Sequence, residues 1–498
     1  MLFNSLAYVL FFPAVVTAYF LLPHRFRWIF LLAASCFFYA ALIPVYILFL
    51  FALILIDYVM ALFIERSAGR IKFIYLICSI LMTASSLLVF KYFNFFNHSI
   101  DRIADLIGWN YSPKYLALAL PVGLSFHTFQ SLSYVIEVYR GRQKPERHLG
   151  IYALYVMFFP QLVAGPIERP QNLIHQLREK HRFDPARAVS GFQLMLWGFL
   201  KKMVVADNLA YYVNAVYAKP DDQTGIQVFM AMCFFAIQIY CDFSGYSDIA
   251  IGSAEVMGIR LRKNFDRPFF ATGIAEFWRR WHMSLSDWFK DYVYLPLGGR
   301  RASYARWVFA ILITFILSGL WHGAGATYVL WGLMNGAYIV IQRIWGDLRT
   351  KVRGGAGSRS QGPLGILGAR TATFFAFAAS MVLFRAPDTA TAWSFYQRMW
   401  ADALMGVRAV VDASWTWVAP GSWLGLMTLG LPAWKLILGL LGVAMLFAVE
   451  TVQSRGSIRH MIGRSSTLVR WPVYVLAIVC LLLFSYSGER QEFIYFQF

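Results

Sequence analysis

Charged residues are scarce in this sequence, and that scarcity is the first constraint on its fold. Only 14% of the 498 residues are Asp, Glu, Lys or Arg, whereas about a quarter is usual in soluble globular domains. Hydrophobic residues make up 59% of the chain, aromatic residues make up 18%, and the mean hydropathy is +0.54. The composition excludes a disordered chain, a disulfide-stapled secreted domain and an ordinary cytosolic enzyme. It predicts a polytopic membrane protein.

Familiar catalytic and metal-binding motifs are also missing. The five cysteines show no CxxC spacing, which predicts small buried hydrophobic residues instead of a disulfide framework or metal ligands. The sequence contains no P-loop, GxSxG elbow, HExxH motif or dinucleotide-binding fingerprint. An ATPase, a serine hydrolase and a zinc protease therefore lose their usual support. We expect no metal site and no bound cofactor. The absence of an internal repeat also removes support for an inverted-repeat transporter.

The charge that is present is mostly positive, with 45 Lys and Arg against 26 Asp and Glu. These basic residues lie in short loops between apolar runs, which is the positive-inside pattern of membrane proteins. No nucleic-acid-binding motif accompanies them, so we expect membrane lipids and not nucleic acid as contacts. When the basic loops at 139–149, 343–359 and 451–470 are taken as cytoplasmic, both termini are predicted to be extracytoplasmic.

The apolar runs predict an all-α polytopic protein with about eleven to twelve transmembrane helices. They lie near residues 5–22, 28–43, 45–64, 73–95, 115–136, 203–216, 226–257, 306–342 (two crossings), 364–385, 424–449 and 471–487. The first run is interpreted as a retained span, because no Lys or Arg precedes Arg25 and no clear small-residue cleavage site follows. Residues 1–498 are treated as a single integral-membrane domain.

Two stretches do not fit simple spans. Residues 150–166 are apolar but end in Gly165-Pro166, and residues 260–306 contain ten Lys and Arg against four acidic residues. Both patterns predict re-entrant or interfacial helices, in which protein or water must satisfy the backbone.

His322 is an ionisable residue inside an apolar region. It lies in the sequence SGLWHGAG, between the two apolar arms of residues 306–342. Those 37 residues are barely enough for two crossings, so the turn is expected in or near the membrane. An ionisable group at that depth marks a functional site by default. The alternative is a neutral histidine hydrogen-bonded between helices.

His282 lies in the sequence EFWRRWHMSL. If this segment is helical, one apolar face contains Trp278, His282, Leu285, Phe289 and Tyr292. A basic amphipathic helix at the lipid headgroups explains most of the segment. It does not explain a histidine on the apolar face, so a structural and a functional role both stay open.

Asp242 and Asp248 interrupt the apolar run at 226–257, with Ser244 between them. Carboxylates in such a helix need partners, so a buried polar network is favoured over direct catalysis. A buried histidine with polar neighbours, by contrast, suits general-base activation of a hydroxyl, because a neutral imidazole carries no charge in apolar surroundings.

Several short motifs carry a resemblance to a known family. They are PVGLSF at 121–126, YRG at 139–141, VAGP at 163–166, DFSGYSD at 242–248, EFWRRWH at 276–282, LWHGA at 320–324 and FIYFQF at 493–498. These motifs resemble the membrane-bound O-acyltransferase (MBOAT) family, in particular its bacterial alginate O-acetylation branch. The resemblance covers almost the whole chain and is weakest between residues 343 and 470.

The resemblance implies a ring of helices around a central funnel, with the active site in a thin central layer. His322 matches the family's near-invariant catalytic histidine, and His282 matches its second catalytic position. The implied donor is acetyl-coenzyme A or another acyl thioester. The residues that bind its phosphates are not identified by the motifs, and Arg279, Arg280 and Lys263 are the candidates.

A supporting polar network around the implied site is also expected. Its members are Asp242, Ser244, Asp248, Trp321 and Asn335. Asn335 is a departure, because alginate-type members often carry histidine in this WGxxHG run. Asparagine cannot shuttle a proton, so we interpret this position as structural.

The resemblance implies transfer of an acetyl group across the bacterial cytoplasmic membrane, for O-acetylation of an exported or cell-envelope polysaccharide such as an alginate-like polymer, cellulose or peptidoglycan. An extracytoplasmic acetyltransferase is the implied partner, and the polysaccharide is the final acceptor. The alternative within the family is D-alanyl transfer to teichoic acid, with the donor on a carrier protein. A histidine-gated transporter and an inert scaffold are alternatives from other classes.

Overall fold

The computed structural model describes residues 1–42, 44–112, 115–116, 121, 123–352, 362–411, 429, 432–485 and 493–494. Within these ranges the regular structure is helical and contains no strand, which confirms the predicted all-α class. The chain divides into two compact units. Unit 1 contains Met1–Gly198 and Tyr246–Lys263, and unit 2 contains Phe199–Gly245 and Asn264–Phe498. Residues 353–359 of the predicted basic loop at 343–359 and the last four residues of FIYFQF lie outside the described residues.

The described α-helices are numbered α1 to α20 in chain order. They are Leu6–Leu21, His24–Ala40, Tyr46–Arg66, Gly69–Leu87, Phe93–Ile107, Leu124–Tyr139, Leu149–Met157, Pro170–Arg178, Pro185–Phe199, Asp207–Ala218, Gly225–Met257, Ile274–Arg280, Met283–Phe289, Tyr304–His322, Ala326–Val352, Pro363–Arg385, Thr389–Val411, Ala433–Gln453, Ile458–Arg464 and Thr467–Phe484. Short π-helical turns at Leu88–Tyr92, Leu200–Ala206 and Lys290–Tyr294 follow α4, α9 and α13.

The described part of the chain has seven helices that are long and apolar enough to cross a membrane. They are α3, the continuous run from α4 to α5, α11, α14, α16, α18 and α20. This number is smaller than the predicted eleven to twelve because several predicted spans form shorter helices: α1, α2, α6 and α10 have 16, 17, 16 and 12 residues. The protein is a multi-pass membrane protein.

Buried hydroxyl and carboxyl groups join the helices of unit 1. The Tyr8 hydroxyl of α1 lies 2.6 Å from the Ser253 hydroxyl of α11. Asp57 of α3 is fully buried and accepts hydrogen bonds from Ser79 and Thr83 of α4, at 2.7 and 3.0 Å. Because such groups would be unsatisfied in lipid, these pairs favour one arrangement of the helices.

The apolar segment 150–166 in unit 1 is not a simple span. Its helix α7 has nine residues, and the chain then runs through turns that are buried throughout. The backbone N–H of Phe159 donates to the Ser35 hydroxyl of α2 at 3.1 Å. Protein groups therefore satisfy this irregular backbone, as predicted for a re-entrant segment.

Helices α14 and α15 of unit 2 form a close helical hairpin. A Cβ atom on Gly319 would lie 2.1 Å from the carbonyl oxygen of Tyr328, and one on Gly332 would lie 2.2 Å from that of Phe315. The two glycines therefore permit a backbone approach that any larger residue would prevent. This hairpin carries His322 at the end of its first helix.

Candidate active site

Unit 2 contains a cavity of about 700 Å³ with His282 and His322 in its wall. The wall comes from the region of α12 to α15. Its apolar part includes Trp278, Leu285 and Phe315. The structure thus brings the two predicted catalytic histidines, 40 positions apart in the sequence, to one cavity.

His322 is buried and surrounded by aromatic rings. It is the last residue of α14, and Gly323 follows it in extended conformation. Its ring centroid lies 4.7 Å from that of Trp321, 5.3 Å from Trp331 and 5.1 Å from Phe384. The helical arms around it run from Tyr304 to Val352 and are longer than the predicted 306–342. Helices of this length do not force the turn into the membrane, so its position in or near the membrane stays a prediction.

His282 interrupts the helix that the sequence pattern suggested for this segment. Its φ angle is +42°, a left-handed conformation, and it separates α12 from α13. The proposed continuous apolar face therefore does not exist as one helix. Trp278, Leu285 and Phe289 nevertheless line the same cavity as His282. A non-glycine residue in this conformation is uncommon and is found at functional sites.

Asn264 determines which nitrogen of His282 carries the proton. The Asn264 Oδ1 atom accepts hydrogen bonds from the backbone N–H of Ser284 at 3.3 Å and from its hydroxyl at 2.9 Å. These donors identify that atom as the amide oxygen. His282 Nδ1 lies 3.1 Å from it and must therefore be the donor. In the neutral ring, Nε2 then carries the lone pair.

Burial keeps the His282 ring neutral. The side chain is almost completely buried, and removal from water lowers its pKa to about 3. At neutral pH the imidazole thus presents a basic nitrogen without a charge. This state suits proton acceptance or orientation of a hydrogen-bond donor. It does not suit donation of a hydrogen bond to a carbonyl oxygen.

Trp321 lies beside both histidines. Its ring centroid is 4.7 Å from that of His322 and 6.2 Å from that of His282. Phe243 packs edge-on against His282 at 4.6 Å. The histidines therefore lie in an aromatic environment that restricts water, where a hydrogen bond is stronger than in solution.

Asp242 belongs to a buried ion-pair network beside this aromatic cluster. Lys202 Nζ lies 2.5 Å from Asp242 Oδ1 and 2.9 Å from Asp207 Oδ1. Asp242 Oδ2 also accepts a hydrogen bond from the backbone N–H of Ile494 at 2.9 Å. Asp242 thus anchors a C-terminal segment, while the adjacent Phe243 packs on His282.

The other predicted network residues occupy different surroundings. Ser244 accepts a hydrogen bond from Lys201 at 2.8 Å. Asp248 lies on the part of α11 that belongs to unit 1. Asn335 is fully buried, and its amide donates to the carbonyl oxygen of Trp331 at 2.9 Å. The side-chain amide of Asn335 therefore supports the α-helical turn that carries Trp331.

The predicted donor-binding cations are only partly brought together. Arg279 lines the cavity, Arg280 pairs with Glu276 at 2.6 Å, and Lys263 belongs to unit 1. The cavity wall also contains Lys290, Arg300 and Arg343, together with Asp287 and Asp347. Among the described residues, no group of three or more His, Cys, Asp or Glu side chains could hold a metal ion.

Sequence reasoning missed several of these residues. Lys201 and Lys202 immediately precede the predicted span 203–216, and two cations beside an apolar run are a signal that Asp242 has a buried partner. Asn264, Lys290 and Arg300 lie in the stretch 260–306, which was singled out as basic, and Arg343 lies in the predicted basic loop at 343–359. Their roles depend on chain reversals that residue spacing does not encode.

Comparison with known proteins identifies the family of this chain. The family model of the membrane-bound O-acyltransferases matches residues 146–356, which include both histidines. The probable alginate O-acetylase AlgI of Pseudomonas aeruginosa is 36% identical over 406 residues, 80% of this chain and 75% of the relative. The peptidoglycan O-acetyltransferase of Helicobacter pylori is 32% identical over 384 residues, covering 70% and 72%.

A more distant relative is the teichoic acid D-alanyltransferase of Bacillus subtilis. It is 28% identical over 226 residues, 43% of this chain and 56% of the relative. The matches with higher identity and wider coverage confirm the resemblance predicted from the motifs. The chain belongs to the membrane-bound O-acyltransferase family and is an acyltransferase.

Proposed function

We propose that this protein is a membrane O-acetyltransferase that takes an acetyl group from a thioester donor on the cytoplasmic side and delivers it for O-acetylation of an exported or cell-envelope polysaccharide. The observation that carries the proposal is the single cavity that contains two buried histidines and a set of basic side chains. The alginate and peptidoglycan O-acetyltransferases among the relatives support an acetyl donor and a polysaccharide acceptor.

His322 is the proposed general base. Its ring removes the proton from the acceptor hydroxyl as the oxygen attacks the carbonyl carbon of the thioester. The carbon–sulfur bond then breaks, and the thiolate leaves and takes the proton from His322. The lone pair on His282 Nε2 orients a donor group of a substrate, because Asn264 holds the other nitrogen. General-base catalysis of this kind contributes about 10²- to 10⁴-fold in rate.

The basic side chains of the cavity are the proposed donor site. Arg279, Lys290, Arg300 and Arg343 outnumber the two carboxylates of the same wall. Phosphate groups bind strongly to arginine and lysine through charge-assisted hydrogen bonds. An acyl group on coenzyme A would thus be held by its phosphates while its thioester reaches the histidines. Arg280 and Lys263 stay candidates for the same donor.

The proposed location is the bacterial cytoplasmic membrane, with both termini extracytoplasmic and the basic loops in the cytoplasm. This orientation rests on the distribution of Lys and Arg. The proposed partner is an extracytoplasmic acetyltransferase that transfers the group to sugar hydroxyls. The whole chain from 1 to 498 is proposed to act as one integral-membrane domain.

The direct test uses the purified protein in lipid nanodiscs with radiolabelled acetyl-coenzyme A and the host's polysaccharide, with and without the candidate partner. We expect thiol release and labelled polymer from the wild type and neither from His322→Ala. A parallel reaction replaces acetyl-coenzyme A with labelled D-alanyl carrier protein. Label transfer from this second donor alone would support the D-alanyl alternative. No thiol release from either donor, with folded protein, would overturn the proposal.

A further inference from the structure

Acyl transfer needs a hydrogen-bond donor for the carbonyl oxygen of the acyl group. When the acceptor oxygen attacks a thioester, this carbonyl oxygen becomes negative, and enzymes stabilise it with fixed donors in a dry site. His282 is unsuited to this task, because its protonated nitrogen points to Asn264 and its other nitrogen carries a lone pair. His322 is assigned the acceptor proton. The donor must therefore be another polar group in the wall of the same cavity.

Three serine or threonine hydroxyls line the cavity, and two of them are already bonded to the backbone. Thr314 donates to the carbonyl oxygen of Ala310 at 2.6 Å, and Ser286 donates to that of Trp281 at 3.1 Å. The Ser318 hydroxyl makes no hydrogen bond within the residues that the structure describes, and its oxygen is open to the cavity. A serine inside a helix can bond to the carbonyl oxygen four residues earlier. Ser318 does not, so its O–H group is available to a substrate.

Ser318 lies one helical turn before His322 on α14. Residues four apart on a helix are neighbours on one face, with Cβ atoms about 5–6 Å apart. Side chains of a helix lean towards its N-terminus, so the His322 ring extends over the turn that carries Ser318. Both residues are buried and line the same cavity. An acyl group in contact with the His322 ring is therefore within reach of the Ser318 hydroxyl.

The cations of the cavity wall favour a donor that lies along the same helix. The guanidinium carbon of Arg343 lies 4.2 Å from the ring centroid of Trp307, in the first turn of α14. At about 1.5 Å per residue, Trp307 is roughly 16 Å from Ser318 along the helix axis. A thioester donor with its phosphates at Arg343 would therefore extend along α14 and present its carbonyl group near Ser318 and His322.

We propose that the Ser318 hydroxyl donates a hydrogen bond to the carbonyl oxygen of the acyl group and stabilises its negative charge during transfer. As the acceptor oxygen attacks the carbonyl carbon, the carbonyl π electrons move to this oxygen, and the acceptor proton passes to His322. Collapse of the intermediate restores the carbonyl, breaks the carbon–sulfur bond and delivers the proton from His322 to the departing thiolate. Ser318 keeps its own proton throughout. The inference rests on the proposed acetyl-transfer function.

Removal of the hydroxyl tests the proposal. In nanodiscs with acetyl-coenzyme A, Ser318→Ala is expected to lower kcat by roughly 10- to 1,000-fold, with KM for the donor changed less than about threefold. Its unfolding temperature is expected to match that of the wild type, because no hydrogen bond within the described residues is lost. The control is Ser86→Ala in α4, which removes a buried hydroxyl that donates to the carbonyl oxygen of Thr83 at 2.6 Å. This variant is expected to unfold at a lower temperature and to keep the wild-type kcat.

A spectroscopic measurement shows whether the hydroxyl contacts the carbonyl group. The probe is a dethia analogue of acetyl-coenzyme A, in which a methylene group replaces the thioester sulfur. Its carbonyl stretch is expected at higher frequency in Ser318→Ala than in the wild type. A wild-type kcat or an unshifted carbonyl band in Ser318→Ala would overturn the assignment. Labelled acetyl bound covalently to Ser318 in the quenched wild type would also overturn it, because the serine would then be a nucleophile. A wild type that does not turn over acetyl-coenzyme A would instead overturn the proposed function and this inference with it.

Discussion

At the scale of single residues, the proposed chemistry depends on the proton position of His282. The contact between His282 Nδ1 and Asn264 Oδ1 places the proton away from the cavity. We predict that Asn264→Ala lowers kcat by about fivefold, because the loss of one hydrogen bond, worth about 1 kcal/mol, frees the ring to rotate. Ser284→Ala is the control, since the Ser284 backbone N–H still orients the amide. Equal kcat values for both variants would contradict the role assigned to Asn264.

The variant Asn264→Asp adds a prediction about pH. Burial lowers the pKa of His282 to about 3, so the ring is neutral across the physiological range. A carboxylate at position 264 would stabilise the protonated ring and raise this pKa. The lone pair on Nε2 is lost as pH falls through the raised value, so the acidic limb of the pH–rate profile should move to higher pH. If the acidic limb of the pH–rate profile is the same in Asn264→Asp and the wild type at matched protein abundance, the lone pair on His282 Nε2 has no role in the reaction.

Residue patterns indicated both histidines but not their surroundings. A histidine between two apolar arms and a histidine on the apolar face of a basic segment are visible in a linear sequence, and the family resemblance gave them roles. Asn264 was not predicted, because its contact with His282 spans 18 positions and requires a chain reversal. Trp278 was predicted only as part of an apolar face.

At the scale of helices, the α14–α15 hairpin determines where His322 lies. We predict that Gly319→Ala and Gly332→Ala each destabilise the protein by roughly 1–3 kcal/mol, because the added methyl group overlaps a backbone carbonyl. Gly346→Ala, in the same α15 helix with open space around it, is expected to be neutral or slightly stabilising. Thermal unfolding in detergent measures both effects. A thiol-reactive fluorescent dye reports the cysteine side chains that become exposed as the protein unfolds. Equal unfolding temperatures for all three variants would contradict the close packing.

The Lys202 network makes a second prediction at this scale. Lys202→Met leaves the buried Asp242 and Asp207 without their cation, and a broken buried pair typically costs about 3–5 kcal/mol. The same substitution at the exposed Lys219 is expected to have little effect. Unfolding temperatures of the two variants give the comparison. A Lys202→Met protein as stable as the Lys219 variant would show that the network does not stabilise unit 2.

Apolar periodicity predicted helices better than it predicted their ends. The two arms around His322 are present, but they extend beyond the apolar run because amphipathic residues continue α15 to Val352. The break at His282 was missed, because Trp281-His282 contains no Gly or Pro signal and the left-handed turn is held by Asn264. Tertiary contacts, not local preference, end this helix.

At the scale of the whole molecule, composition and loop charge gave the class of protein. An apolar chain with few charges and a basic excess predicts a multi-pass membrane protein, and the described helices agree. The number of crossings was less predictable, because an apolar run in the sequence does not always form a helix long enough to cross a membrane. The acyl donor, the polysaccharide and the partner depend on surfaces and substrates that hydropathy does not describe.

The most direct test of the central claim is the polysaccharide-bound acetate of cells that carry the wild type or His322→Ala at matched membrane abundance. We predict that the variant loses at least about 99% of the bound acetate, since general-base catalysis supplies roughly 10²-fold or more. A normal unfolding temperature of the purified variant shows that the loss does not come from misfolding. Bound acetate at the wild-type level in the folded His322→Ala protein would contradict the catalytic assignment and favour a transport or scaffolding role.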